Sequence, residues 1–171
     1  MAAESGTEGV TRAEALIAEL TRAGLTLAVA ESLTGGAVAA ELVSVPGASI
    51  VLRGAVVAYD TALKSSLLGV PAALLVQHGP VHADVAALMA EGVRGVATVG
   101  GHPADIGVAT TGVAGPDPQG DAPVGLVFVA VADDAGVEVR ELRLAGDRAE
   151  IRAQAVDAAL ELVTDRLARC A

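Results

Sequence analysis

Short apolar runs alternate with helical patterns along the first half of the chain, and this alternation limits the fold more than any other feature of the sequence. Residues at helical spacing and runs of helix formers predict helices over 13–20, 37–42, 61–68, 71–77 and 83–97. Two apolar runs between them, 25–30 and 54–59, predict strands. Such alternation is typical of α/β proteins, in which helices pack on a sheet.

The second half of the chain follows a different pattern. Strand-type runs at 105–110, 125–132 and 137–144 follow one another, and a last helix is predicted over 151–168. The short turn 133–136 makes the last two strands antiparallel neighbours. We therefore predict an α/β fold, a three-layer αβα sandwich around a mixed, mostly parallel sheet of about five strands.

A chain of 171 residues is long enough for one domain with its own core. We expect residues 1–8 to form a flexible polar tail and residues 9–171 to form a single domain. Hydrophobic residues make up 53% of the chain but aromatic residues only 1%, so the core must consist of Ala, Val, Leu and Ile.

The formal net charge of −10 disfavours broad binding to nucleic acids or anionic membranes. Apolar runs are interrupted well before the roughly 18 residues that a membrane span needs, and the start of the chain lacks the basic-then-apolar order of a signal peptide. We therefore expect a cytoplasmic protein with no nucleic-acid or membrane partner. Any phosphate site must be local.

The first candidate site is Glu31-Ser32-Leu33-Thr34-Gly35-Gly36, directly after the first predicted strand. Open α/β sheets bind ligands at the carboxyl ends of their strands, and a following helix start offers free N–H groups for a phosphate or an oxyanion. Ser32 would lie beside these donors, with Glu31 orienting the turn. The competing interpretation, which spacing alone favours, is that Ser32 or Thr34 only caps the helix.

The second candidate site, Tyr59 with Lys64, follows the second strand and should emerge at the same edge of the sheet as Ser32. A buried lysine can lose its proton and become the base that activates a serine hydroxyl. Tyr59, the only tyrosine, could hold Lys64 or relay a proton. The alternative is an exposed Lys64 on a helix surface, with Tyr59 filling core space.

The third candidate site is the stretch 110–123, which leaves the third strand as a long loop interrupted by Gly and Pro. Loops of this length inside a compact domain are often functional. Hydroxyl groups of Thr110 and Thr111 could bind the substrate or complete an oxyanion site, while the rest of the loop could form a wall or lid. A connection without function explains the loop equally well.

The fourth candidate site lies at the start of the last helix. Asp147 has the residue type of an N-cap. Arg148 and Arg152 follow it, although cations near a helix N-terminus oppose the helix dipole unless an anion also binds. In an acidic protein this indicates a phosphate partner, whose geometry a guanidinium group matches; a salt bridge to Asp or Glu is the alternative.

No metal or cofactor pattern is present in the sequence. His78, His82 and His102 have no metal-ligand spacing with one another or with the single cysteine, Cys170. The chain also lacks a full Gly-x-Gly-x-x-Gly element after the first strand and a Walker A pattern. We therefore predict no catalytic metal and no cofactor.

Seven segments of the chain occur together in a fixed order and spacing. No single segment is decisive, but their joint occurrence is highly specific for one protein family. They are Ala30-Glu31-Ser32-Leu33-Thr34-Gly35-Gly36, Val56-Val57-Ala58-Tyr59 with Lys64, Leu67-Leu68-Gly69-Val70, Gln77-His78-Gly79, Thr111-Gly112-Val113-Ala114-Gly115-Pro116, Pro123-Val124-Gly125 and Gly146-Asp147-Arg148. Together they resemble the CinA C-terminal domain family over roughly residues 10 to 169, in its stand-alone form.

The resemblance implies a homo-oligomeric αβα amidohydrolase. Its reaction would be hydrolysis of the carboxamide of nicotinamide mononucleotide to nicotinate mononucleotide and ammonia, in pyridine-nucleotide salvage. The resemblance makes Ser32 the nucleophile, Lys64 its base and Tyr59 an active-site partner. It places around the small-molecule nucleotide substrate the residues Thr34, Gly35, Gly36, Thr111 and Gly112, with Arg148 as the phosphate contact.

Two other functions stay open at the level of sequence. One is a non-catalytic pyridine-nucleotide-binding or regulatory module, in which Ser32 only caps a helix. The other is an amidase for a different nucleotide or for an amide without a phosphate. The chain also departs from the family pattern at Leu33, where Cys is usual, at His82, where Ser is frequent, and over 118–120.

Overall fold

The computed structural model describes residues 9–170, and the tail predicted over 1–8 lies outside them. The α-helices are α1 (Arg12–Ala23), α2 (Ala37–Val43), α3 (Thr61–Ser66), α4 (Ala72–His78), α5 (Ala83–Val96) and α6 (Arg148–Cys170). The strands are β1 (Leu27–Glu31), β2 (Leu52–Val57), β3 (Ile106–Gly112), β4 (Leu126–Asp133) and β5 (Gly136–Arg143). A short 3-10 helix, Ala48–Ile50, was not predicted. Within the described chain, no helix combines the length and hydropathy needed to cross a membrane.

The five strands form one sheet in the order β2-β1-β3-β4-β5. β1 pairs in parallel with both β2 and β3, whereas β4 is antiparallel to both β3 and β5. Only β4 therefore runs against the common strand direction, which confirms the mixed sheet and the antiparallel pairing of the last two strands. The carboxyl ends of β1, β2 and β3 meet at one edge, where α/β sheets place their ligand sites.

Helices cover both faces of the sheet and give it two hydrophobic clusters. Alternate residues of β1 face opposite sides, so Leu27 and Val29 pack with residues of α1, α2 and α6, while Ala28 and Ala30 pack with residues of α4 and α5. Ala, Val, Leu and Ile dominate both clusters, as the composition requires. The three-layer αβα arrangement is confirmed.

Strand β2 begins and ends two residues earlier than predicted, at Leu52 and Val57. Its parallel register with β1 pairs Leu27 with Leu52 and Glu31 with Val57, and the Ala58 N–H continues the pairing with a 2.8 Å bond to the Glu31 carbonyl. β2 is an edge strand, and its residues are partly exposed. Tyr59 therefore lies beyond the strand, beside the site.

The loop between β3 and β4 is closed at its base by Gly125. The Gly125 N–H donates to the Val113 carbonyl over 2.8 Å, and its φ of 87° lies in the left-handed region. A Cβ atom at this position would lie 2.0 Å from the Leu144 carbonyl oxygen, so only glycine fits. The closed base fixes the direction in which the loop leaves the sheet.

Helix α6 begins beside the same edge because Asp147 caps it. The Asp147 carboxylate accepts hydrogen bonds from the N–H groups of Ala149 and Glu150 over 2.8 and 2.9 Å. In return, the Asp147 N–H donates to the Glu150 carboxylate over 2.7 Å. This reciprocal capping confirms the predicted N-cap and fixes where Arg148 and Arg152 lie.

Candidate active site

Ser32 and Lys64 lie close together because Ser32 follows the carboxyl end of β1 and Lys64 belongs to the short helix α3. Ser32 directly follows β1, and its N–H donates to the Thr110 carbonyl of β3 over 3.0 Å. Lys64 lies in α3, and its Nζ donates to Ser32 Oγ over 2.9 Å and to the Ala58 carbonyl over 2.6 Å. The proximity expected from the strand order is therefore present.

Lys64 is buried, with 1% of its surface exposed. Asp60 caps α3 by accepting from the Ala62 N–H over 2.8 Å, and the helix directs Lys64 into the protein. Burial lowers the pKa of Lys64 from 10.5 to about 8, and the Asp60 carboxylate opposes part of that change. The alternative of a solvent-exposed lysine is therefore wrong. About a tenth of such lysines are neutral at pH 7.

The start of α2 is occupied by the Glu31 carboxylate. Glu31 is fully buried and accepts hydrogen bonds from the N–H groups of Gly36, Val38 and Ala39 over 2.9, 3.1 and 2.9 Å. Because these donors already have a partner, the expectation that the α2 helix start would hold an oxyanion is wrong. Glu31 orients the turn, as the sequence predicted.

Thr34, Gly35 and Gly36 belong to the turn that links Ser32 to α2, which is called the Ser32 turn below, and none of the three lines the cleft. The Thr34 hydroxyl shares a 2.7 Å hydrogen bond with the hydroxyl of Thr110, and both side chains are fully buried. The N-cap of α2 is Gly36, without a side-chain capping bond, so neither Ser32 nor Thr34 caps this helix. These three residues shape the turn, and the structure does not bring them to the surface of the cleft.

A cleft of about 240 Å³ opens above Ser32 and Lys64. Thr111 and Gly112 line it at the end of β3, and the loop after β3 forms a wall that includes Asp117 and Gln119. The structure therefore brings Thr111 and Gly112 to the site. The loop forms a wall of the cleft, which is one of the roles that the sequence analysis considered for it.

Thr111 holds Pro80, a residue that the sequence analysis did not place at the site. Its hydroxyl donates to the Pro80 carbonyl over 2.7 Å, which ties the connection between α4 and α5 to the end of β3. Pro80 also lines the cleft. The contact between Lys64 and the Ala58 carbonyl was likewise not predictable, because every residue has a backbone carbonyl and the residue type does not show which one accepts a hydrogen bond.

Tyr59 and Arg148 form the rim of the cleft. The Tyr59 hydroxyl accepts a hydrogen bond from Arg148 Nη2 over 3.0 Å, and Arg148 Nη1 donates to the Gly115 carbonyl over 2.6 Å. Tyr59 is 59% exposed, so it does not fill core space. Its hydroxyl contacts Arg148 and not Lys64, which corrects the expectation that it would hold the lysine.

Arg152 contacts backbone carbonyl groups and, within the described residues, forms no salt bridge. Its Nε donates to the Leu33 carbonyl over 3.0 Å, and its Nη2 donates to the Thr34 carbonyl over 2.6 Å. Arg152 therefore contacts the backbone of the turn after Ser32, where the sequence offered a salt bridge to an acidic side chain as one interpretation.

The histidines are not among the residues that line the cleft. His82 is the N-cap of α5, and its Nδ1 accepts from the Asp84 N–H over 3.2 Å. The His78 ring stacks on the His82 ring with centroids 4.5 Å apart. Within residues 9–170, no cluster of His, Cys, Asp and Glu side chains is arranged to hold a metal.

Comparison with known families identifies the domain. The family model described as CinA C-terminal domain matches residues 10–167. The chain belongs to the CinA C-terminal domain family. This CinA domain is 47% identical over 166 residues to a CinA-like protein from Frankia casuarinae, covering 97% of the chain and 36% of that relative. It is 44% identical over 162 residues to a CinA-like protein from Geobacter sulfurreducens, covering 94% of the chain and 38% of that relative.

The CinA domain thus spans little more than a third of the length of these curated relatives. In the matches to solved structures, by contrast, most of both chains is covered. The competence/damage inducible protein CihA from Agrobacterium tumefaciens has a TM-score of 0.84 at 35% identity, covering 90% of this chain and 92% of that one. A CinA superfamily protein from Klebsiella pneumoniae has a TM-score of 0.86 at 30% identity, covering 92% and 96%. The fold is therefore that of the CinA superfamily.

Proposed function

We propose that this CinA domain is an amidohydrolase that converts nicotinamide mononucleotide into nicotinate mononucleotide and ammonia. The observation that carries the proposal is the 2.9 Å hydrogen bond between Lys64 Nζ and Ser32 Oγ, made by a buried lysine at the floor of a cleft. A lysine with a pKa of about 8 is neutral often enough near pH 7 to accept a proton from a hydroxyl group.

The first half of the reaction forms an acyl-enzyme. Neutral Lys64 takes the proton of Ser32, and the serine oxygen bonds to the carboxamide carbon. The resulting tetrahedral intermediate then releases ammonia, which takes the proton from Lys64 as the C–N bond breaks. The Ala58 carbonyl, 2.6 Å from Nζ, orients the amine throughout these transfers.

The second half of the reaction is hydrolysis of the acyl-enzyme. Lys64, neutral again, removes a proton from a water molecule, whose oxygen bonds to the acyl carbon. The bond to Ser32 breaks, and Lys64 returns the proton to the serine oxygen. The new carboxylic acid loses its proton to solvent, where ammonia takes it up as ammonium, so nicotinate mononucleotide leaves as the carboxylate. One water is consumed and one ammonia is released, so the amide hydrolysis balances.

The oxyanion needs donors other than the start of α2, where Glu31 already accepts the hydrogen bonds. Among the described residues, the N–H of Leu33 donates no hydrogen bond to another protein group. Leu33 directly follows the nucleophile and lines the cleft. The N–H after a nucleophilic serine serves as an oxyanion donor in α/β-hydrolases, and we assign that role to Leu33.

The charges around the cleft favour a zwitterionic nucleotide. Nicotinamide mononucleotide carries a cationic pyridinium ring next to the carboxamide and an anionic phosphate at the other end. Asp117 and Arg148 both line the cleft and carry opposite charges. The carboxylate would face the ring and the guanidinium the phosphate, whose geometry it matches.

The proposed partners extend the same resemblance. The domain would act on a small nucleotide without a cofactor, and it would form homo-oligomers. The net charge of −10 supports a small-molecule partner over nucleic acid or an anionic membrane. Light scattering on a size-exclusion column measures the oligomer, and the mass of a single chain would contradict that part of the proposal.

The deciding experiment incubates purified protein with nicotinamide mononucleotide and measures ammonia and nicotinate mononucleotide. Ser32→Ala should reduce the rate by at least about a thousandfold. Ser66→Ala, the same substitution at an exposed position of α3, should leave the rate unchanged. Nucleotide binding by the wild type without ammonia release would instead support a non-catalytic binding module.

A further inference from the structure

Arg152 of α6 contacts two consecutive backbone carbonyl groups in the turn after Ser32. Its Nε and Nη2 donate to the carbonyl groups of Leu33 and Thr34 over 3.0 and 2.6 Å. These carbonyls are 119 and 118 residues away in sequence, so the contact joins the last helix to the turn after β1. Within the described residues Arg152 forms no salt bridge, in contrast to Arg140, which pairs with Glu161 and Asp165.

The contact reaches Ser32 through peptide groups. The Thr34 carbonyl belongs to the same peptide group as the Gly35 N–H, which donates to the Ser32 carbonyl over 3.1 Å. A cationic donor on a carbonyl polarises the peptide group and strengthens the hydrogen bond that its N–H makes. Arg152 therefore strengthens the bond that closes the turn on Ser32.

The turn is held by opposite charges on its two sides. Glu31 accepts from the N–H groups at the start of α2, while Arg152 donates to the carbonyl groups that precede that helix. Each charged group meets backbone dipoles of the complementary sign. With both in place, the backbone between Ser32 and Gly36 has little freedom to move the serine relative to Lys64.

We propose that Arg152 is a positioning residue that holds Ser32 in the geometry needed for attack, while Arg148 acts at the rim. The inference rests on the proposed function of Ser32 as the nucleophile. Misplacing a reacting group by about 1 Å costs about a hundredfold in rate. Loss of the Arg152 guanidinium should therefore lower the reactivity of Ser32 itself, whatever the substrate.

The test measures Ser32 reactivity with an alkyl fluorophosphonate, by intact mass spectrometry. In this reaction the serine oxygen bonds to phosphorus, fluoride leaves, and Lys64 takes the hydroxyl proton. Arg152→Gln should lower the labelling rate constant about ten- to a hundredfold. Arg152→Lys, which keeps one cationic donor, should recover part of that loss. Arg169→Gln, the same change in α6 at a residue bound to Glu138, should label within about twofold of wild type.

The pH profile of labelling separates positioning from general loosening. Positioning predicts a lower plateau in Arg152→Gln with the midpoint still near the Lys64 pKa of about 8. A midpoint shifted toward 10.5 would mean that Lys64 has become hydrated, and it would overturn the inference in favour of a structural role. Labelling of Arg152→Gln at the wild-type rate would overturn it as well.

The proposed substrate is tested separately from this role. A wild-type protein that is labelled at Ser32 but does not hydrolyse nicotinamide mononucleotide would contradict the amidase proposal. The labelling rates of the wild type and Arg152→Gln would still decide whether Arg152 positions the serine. Thermal unfolding of each variant, measured alongside, identifies any protein whose loss of labelling comes from unfolding.

Discussion

The Lys64 amine donates a hydrogen bond to the Ser32 hydroxyl over 2.9 Å, from a six-residue helix to the end of a parallel strand. Its other acceptor is the backbone carbonyl of Ala58, so among the described residues no carboxylate accepts a hydrogen bond from this amine. Burial without a direct counter-ion favours the uncharged amine. The protonation state of this one side chain should therefore govern both activity and stability.

The rate should rise with pH through the pKa of Lys64. The neutral amine is the base, and burial lowers its pKa to about 8, so kcat/KM should increase close to tenfold per pH unit below about 7 and level off above about 9. Direct chromatography of nicotinate mononucleotide measures this without a coupling enzyme. A flat profile, or one that falls as the pH rises, would contradict the role of Lys64 as base.

The pKa itself can be measured on a single resonance, because Lys64 is the only lysine in the chain. In protein labelled with ¹³Cε-lysine, the signal should titrate near 8 and not near 10.5. Asp60→Asn removes the carboxylate that raises the pKa of Lys64, so the midpoint in a second spectrum of this variant should lie lower. A midpoint near 10.5 in the wild type would show that the amine is hydrated and charged throughout the neutral range.

Burial of Lys64 should also cost stability at neutral pH. Below about pH 8 the amine is charged in both the folded and unfolded states, and the folded protein bears the full desolvation penalty. Between 8 and 10.5 only the unfolded state is protonated, so wild-type stability should rise by about 3 kcal/mol over that range. Lys64→Met lacks this gain.

Urea titrations of wild type and Lys64→Met at several pH values measure the effect. The stability of the variant relative to wild type should be highest at pH 7 and should fall as the pH approaches 10, because only the wild type gains. Comparing the two proteins at each pH removes the contribution of all other titrating groups. A difference that is independent of pH would contradict the lowered pKa.

Hydrophobic periodicity predicted the order of elements, because helices and strands bury residues at different spacings. The proximity of Ser32 and Lys64 was also predictable, because parallel neighbours such as β1 and β2 end at the same edge of a sheet. The boundaries of β2 were not, since its register is set by hydrogen bonds to β1 and not by its own apolar run.

The roles of the residues in and around the Ser32 turn could not be predicted, because they depend on the direction of each side chain, which the residue type does not show. Glu31 and a bound anion would satisfy the same N–H groups at the start of α2, and only the structure shows that Glu31 takes them. Thr34 has the residue type of a cap but bonds to Thr110 across the sheet. Arg152 reaches carbonyls 118 and 119 residues away, a contact that has no local pattern.

Arg148 should discriminate between phosphorylated and unphosphorylated substrates. If it binds the phosphate, Arg148→Gln should raise KM for nicotinamide mononucleotide about ten- to a hundredfold, the loss of a charge-assisted contact, and should change KM for nicotinamide riboside little. Tyr59→Phe, which removes only the 3.0 Å bond to Arg148, should have a smaller effect in the same direction. Equal turnover of both substrates by the wild type would contradict the phosphate assignment.

Glu31 should be among the most sensitive positions in the fold. Its buried carboxylate accepts three backbone hydrogen bonds at the start of α2. In Glu31→Gln the amide NH₂ group would face N–H donors, and the negative charge that favours a helix start would be lost, at a cost of about 2–4 kcal/mol. Urea unfolding measures the free energy of unfolding of this variant against that of Glu41→Gln, an exposed position in the same helix, which should change stability by less than about 0.5 kcal/mol.

Because the hydrogen bonds of Glu31 also fix the turn after Ser32, ammonia release should fall in the folded fraction of Glu31→Gln. Equal stability of the two variants would show that water or another group can replace the carboxylate at the start of α2.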